Sequence, residues 1–71
     1  METFRDVIDA WPRQYMLAKD VGRTAANVSL WRTRDNIPPA YWLTVIEAAR
    51  NRGIAGIDLP TLAAMAEKGR K

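Results

Sequence analysis

Residues 14–33 read QYMLAKDVGRTAANVSLWRT, and the order of small, apolar and polar positions in this stretch decides the fold. Leu17 and Val21 stand four apart and Val28 and Trp31 three apart, spacings that place side chains on one helix face. Between the two pairs lies Gly22, a residue type that ends helices by adopting the left-handed conformation without steric penalty. Thr24 follows, a residue type whose hydroxyl caps the next helix. Ala18 supplies the small side chain needed where two helices touch. The stretch predicts two short helices joined by a tight turn, locked to a core through Leu17, Val21, Val28 and Trp31.

Working outward, proline and glycine divide the rest of the chain into similar short pieces. Thr3 predicts an N-cap with Asp6 three residues on, followed by Phe4, Val7, Ile8 and Trp11 at helical spacing. Pro12 predicts the first turn of the helix that Gly22 ends. After Asn36-Ile37-Pro38-Pro39, a segment from Pro39 to Arg52 presents Trp42, Leu43, Val45, Ile46 and Ala49 on a wide apolar arc. Gly53 and Gly56 close it. Asp58 predicts the cap of a last helix with Pro60 in its first turn and Leu62, Ala63 and Ala66 along it. Alternation with period two is missing, so strands are not expected. The expected fold is all-α: a compact bundle of about five short helices forming a single domain over residues 1–71, with 68–71 as a frayed basic tail.

The chain has 71 residues with neither Cys nor His. That composition excludes disulfides, Cys/His zinc sites, thiol nucleophiles and histidine-based acid–base chemistry. Its eight carboxylates lack a paired or metal-ligand spacing, so the reading is not an enzyme, with no cofactor, no metal and no small-molecule substrate. The three acids before residue 10 argue against a secretory signal, and the apolar-leaning stretch from Ala40 to Ala49 is too short for a membrane span. A cytoplasmic location is the expectation.

A formal net charge of +3 gains meaning when it is divided. Arg13, Lys19, Arg23, Arg32 and Arg34 stand against Asp20 alone in residues 13–34, whereas residues 1–12 and 35–67 are each net acidic. One contiguous third of the domain is therefore strongly basic, as expected of a surface that attracts a polyanion by Coulomb forces and counterion release.

Taken together, the helix-turn-helix register over 14–33 and the following Trp31-Arg32-Thr33-Arg34-Asp35-Asn36-Ile37-Pro38 resemble the phage Cro and lambda-type repressor family. The resemblance covers residues 13 to about 50. It implies a lambda-repressor-like DNA-binding domain whose second motif helix enters the major groove with its N-terminal residues on base edges. By that resemblance Ala25, Ala26 and Asn27 face bases, with Ser29 and Leu30 further along. Gln14 and Thr24 contact phosphates, and Arg32 and Arg34 clamp the backbone. The chain departs from the family at two points. Ala25 and Ala26 stand where Gln, Arg or Ser is common, so only a methyl contact to thymine is available there. Arg23 replaces a small apolar turn residue and is placed to reach a phosphate or a guanine. Specificity is then expected to come partly from arginines and DNA shape.

The implied function is a sequence-specific double-stranded DNA-binding transcriptional regulator, a repressor of a phage, prophage-like or mobile-element gene cluster, bacterial or phage-encoded and nucleoid-associated when DNA-bound. The apolar surplus of Ile54, Ile57, Leu59 and Met65 beyond the fourth helix predicts a homodimer through the C-terminal region on a pseudo-palindromic operator. The alternatives on the same fold are a protein-interaction adaptor, which the two alanines favour, and an antitoxin or excisionase-like protein. Trp31, Trp42 and Trp11 are expected in the core.

Overall fold

A computed structural model describes residues 2–68. Five helices follow one another: α1 (Phe4–Asp9), α2 (Gln14–Val21), α3 (Ala25–Arg34), α4 (Trp42–Arg52) and α5 (Leu59–Lys68), with one 3-10 turn at Pro39–Tyr41 leading into α4. The fold is all-α, with no strand among the described residues. Helix α3 packs against α1 and α2, α2 also packs against α4, and α4 carries α5.

The helix starts follow local chemistry. Thr3 and Asp6 form a reciprocal capping box on α1, each side chain accepting from the other residue's backbone N–H. The Asp6 carboxyl lies below the ordinary carboxylate range, because the Glu2 and Thr3 N–H groups donate to it. The Thr24 hydroxyl oxygen accepts the Asn27 N–H at 3.1 Å, and the Asp58 carboxylate accepts that of Thr61 at 2.9 Å. Helix ends are equally local. Gly22 at φ 72° and Gly53 at φ 75° take the left-handed conformation that lets the following N–H reach back to the last turn.

The second helix begins later than its proline suggests. Arg13 is the N-cap, in extended conformation, and Pro12 lies outside the helix, as a residue preceding a helix boundary can without disturbing it. Trp11 lies beyond α1 yet stays buried. Lys68, assigned to the tail from sequence, is the last residue of α5; the rest of that tail, 69–71, falls outside the described residues.

The core is built from Phe4, Val7, Ile8, Trp11, Leu17, Ala18, Val21, Val28, Trp31, Ile37, Val45, Ala48, Ala49, Ile57, Leu62 and Met65. All positions required by the central turn are among them, including the small Ala18. Two expectations are corrected. Leu43 is 69% exposed, because α4 turns Val45, Ala48 and Ala49 inward and Leu43 falls on the opposite side. Ile57 and Met65 are core residues, which removes most of the C-terminal apolar surplus and leaves Leu59 about half exposed. Trp42 is partly buried, stacked near Phe4 and donating its indole N–H to the Ile37 carbonyl at 2.6 Å.

Polar contacts tie the first three helices together. Arg5 on α1 donates through Nε to the Arg32 carbonyl at 2.9 Å and through Nη2 to the Thr33 carbonyl at 3.2 Å. In return, Asp35 accepts the Arg5 backbone N–H at 3.0 Å. Asp35 also ends α3 at φ 51°, the non-glycine residue with positive φ among those described. The C-terminal end of one helix and the first turn of another thus exchange bonds, the Arg5 side chain reaching the α3 carbonyls and the Asp35 side chain accepting a first-turn N–H of α1.

Candidate nucleic-acid interface

Helix α3 turns Val28 and Trp31 into the core. Its opposite side exposes Ala25, Ala26, Ser29, Leu30, Thr33 and Arg34. This outward face carries no acid, and its leading residues are small. Leu30 is 48% exposed, and Asn27 is half-buried at the margin between the two sides. Of the residues assigned to base reading, Ala25, Ala26, Ser29 and Leu30 therefore share one exposed surface, while Asn27 lies at its edge.

The turn before α3 is three residues long, Gly22 to Thr24. Its left-handed glycine directs the Arg23 N–H to the Ala18 carbonyl at 2.8 Å. Thr24 uses its hydroxyl oxygen to cap α3, which leaves the hydroxyl proton available to an acceptor outside the protein.

Helix α2 starts differently from α1, α3 and α5. Arg13 provides no side-chain cap, and the first turn contains no acid. The start of α2 therefore presents uncapped backbone N–H groups with a partial positive charge. Gln14 is exposed there, beside a shallow cleft that Arg13, Gln14, Arg32, Asp9, Ile8, Trp11 and Pro12 line.

The arginines are not equivalent. Arg32 forms a two-pronged ion pair with Asp9 on α1, at 2.9 and 3.1 Å. Hydrogen bonding to Arg32 holds the Asp9 carboxyl below the ordinary carboxylate range and raises the Arg32 guanidinium. Arg23 lays its guanidinium over the Tyr41 ring, 4.5 Å from the centroid. Arg34 is exposed and lines a different hollow, with Asp35, Asn36, Glu2 and Met65. Arg32 and Arg34, paired in the sequence reading as backbone clamps, are thus placed in separate hollows, Arg32 beside Gln14 and Arg34 beside the start of α1.

Sequence reasoning left three residues of this region unassigned. Arg13 belongs with Gln14 at the open start of α2, a position that its place in the basic segment hints at. Asp9 engages Arg32 from 23 residues away, and Tyr41 stacks on Arg23 from the next loop. Neither has a local signal, because each contact joins elements distant in sequence.

Among the described residues no group of three His, Cys, Asp or Glu side chains could hold a metal ion. Among the same residues no helix is long and apolar enough to cross a membrane. No known family model, curated protein or solved structure matches the chain.

Proposed function

We propose that the protein is a sequence-specific double-stranded DNA-binding transcriptional regulator, in keeping with its resemblance to the Cro and lambda-type repressors. The observation that carries this reading is the acid-free outward face of α3, together with the uncapped start of α2 and the exposed Arg23–Thr24 turn. Small side chains let a helix approach base edges closely in the major groove. The α2 start, Arg13, Gln14 and the Thr24 hydroxyl then hold phosphates. Arg34 supplies a further backbone contact. Arg32 contributes once a phosphate competes with Asp9 for its guanidinium.

Repression of a phage, prophage-like or mobile-element gene cluster in the bacterial cytoplasm is the role that the family resemblance suggests. The described residues extend 31 Å at their longest, less than the roughly 34–36 Å between the centres of adjacent half-sites. An inverted-repeat operator therefore calls for two copies. The α4–α5 side, where Leu43 and Leu59 remain exposed, is the surface proposed for that pairing.

Selection of bound duplexes from a random pool tests the reading, followed by titration of a recovered duplex across salt. The expected result is a shared inverted repeat and an affinity that falls steeply with salt, with Arg13→Ala or Arg34→Ala lowering the slope by about one phosphate contact. Recovery of no shared sequence, together with no retardation of any duplex at low salt, would leave the adaptor reading in its place. That second reading has its own support: Leu30 is half-exposed in the middle of the α3 face, and Arg32 is engaged within the protein by Asp9.

A further inference from the structure

Three flat groups from three segments line up beside the turn that precedes α3. Trp31, on the inward side of α3, is 7% exposed. The Tyr41 ring lies 5.2 Å from it, centroid to centroid, at 37°. The Arg23 guanidinium covers the Tyr41 ring at 4.5 Å. Tyr41 is half-buried and belongs to the 3-10 turn that enters α4, so its ring is anchored in the scaffold while Arg23 stands at the exposed turn.

A guanidinium carries its five N–H donors in its own plane and presents an empty face above and below it. Stacking on an aromatic ring uses the face and leaves the donors unspent. Among the described residues no carboxylate or carbonyl accepts from the Arg23 side chain, in contrast to Arg5, Arg32 and Arg52. Arg23 therefore has its plane stacked on Tyr41 and an unsatisfied donor edge, one residue before the cap of α3. The stack biases a long, flexible side chain toward one orientation without using its capacity to bind.

We infer that Tyr41 is a positioning residue for Arg23: it holds the guanidinium face-on so that its in-plane donors meet two adjacent acceptors on DNA. The acceptors are either the two free oxygens of one phosphate or O6 and N7 of one guanine, which offer the same forked geometry. This inference rests on the DNA-binding reading and deepens it, since it makes a residue outside the helix pair part of the recognition surface.

The test is a double-mutant cycle on a duplex recovered from the random pool, with a scrambled duplex as the second arm. Tyr41→Phe keeps the ring and is expected to bind like the unaltered protein. Tyr41→Leu is expected to weaken binding about two- to five-fold, the range of one stacked cation at an exposed site. In an Arg23→Ala background the same change is expected to do nothing more. Loss confined to the recovered duplex identifies guanine as the acceptor, and equal loss on both duplexes identifies phosphate. Additive losses, or a Tyr41→Leu protein that folds and binds normally, would overturn the role of Tyr41 while leaving DNA binding intact. Failure of the unaltered protein to bind any duplex would overturn both. Should Tyr41→Leu not fold, nitrogen relaxation at Arg23 Nε in the unaltered protein decides: a rigid signal beside a mobile Arg13 supports the stack, and a mobile one overturns it.

Discussion

Helices α3 and α5 are both ten residues long, yet they are held by different kinds of force. Beyond its own Thr24 cap, α3 is tied to α1 by directional polar bonds at its finish: the Arg5 side chain, the Asp35 carboxylate and the Asp9–Arg32 pair. Beyond its own Asp58 cap, α5 is held by burial of Leu62 and Met65 and partial burial of Ala66. Burial is non-directional, whereas several hydrogen bonds to a neighbouring helix constrain the angle at which α3 leaves it. The helix proposed to meet DNA is the one whose angle is so constrained.

The sharpest way to break this contrast is to empty the site that anchors α5. Leu62 is fully buried, and Leu62→Ala is expected to cost about 2–5 kcal/mol. A domain of this size has only about 3–5 kcal/mol in total, so urea denaturation should show the variant largely unfolded or α5 released. A shift in midpoint below about 1 kcal/mol would show that α5 contributes little to the core.

A smaller loss is expected on the polar side of the molecule. Asp20 on α2 accepts the Trp11 indole N–H at 2.9 Å and pairs with Arg52 on α4. Asp20→Ala strands the indole donor of the 3%-exposed Trp11, at a cost of about 1–3 kcal/mol, which thermal unfolding should register as a drop of at least several degrees. Hydrogen bonds from Arg52 and then Trp11 hold the Asp20 carboxyl below its ordinary value, and Asp9, Asp6 and Asp58 are lowered likewise by their own partners. A carboxyl with a lowered folded-state pKa stabilises the fold above its unfolded pKa, near 3.9, and loses that contribution as pH falls through the folded-state value. With no His in the chain, the melting temperature should stay level from about pH 8 to pH 5 and fall below about pH 4. A decline beginning above pH 5 would contradict this assignment.

The smallest effect separates the two functions of Asp35. Asp35→Ala loses the bond to the Arg5 N–H and places a residue poorly suited to φ 51° at the end of α3. Asp35→Asn keeps an acceptor and a side chain that tolerates the left-handed region. The alanine variant is expected to lose about 1–2 kcal/mol and the asparagine variant under about 0.5 kcal/mol. Equal losses in denaturant titrations would show that charge, not geometry, is what Asp35 supplies.

What was legible in the sequence is what neighbours decide. Gly22, Thr24, Val28 and Trp31 announce the turn and the α3 stripe because caps and helical spacing act within a few residues. Apolar identity puts Leu43 on the arc but does not show which side of α4 its neighbours leave room for; close packing places Ala48 inside beside the expected Val45 and Ala49. Ile57 and Met65 were read as surplus for the same reason, since burial depends on where α5 returns. At the candidate interface, the family resemblance places Gln14, Ala25, Ala26, Ser29 and Leu30 on the outer surface, and all are exposed. The engagement of Arg32 by Asp9 and of Arg23 by Tyr41 was not legible, because ion pairs and stacks between elements leave no period in the chain.

The Arg5–Asp35 link closes a loop of thirty residues, and a closure that long bears on the order of assembly. A six-residue helix such as α1 is too short to persist in water by itself. The α2–α3 pair needs only a three-residue turn to form, so its loop-closure entropy is small. Helix α1 is therefore expected to condense late, onto an α3 that already exists, with folding beginning at the α2–α3 pair. Arg5→Ala should then speed unfolding and leave the refolding rate nearly unchanged in stopped-flow measurements, whereas a slowed refolding limb would place α1 in the nucleus.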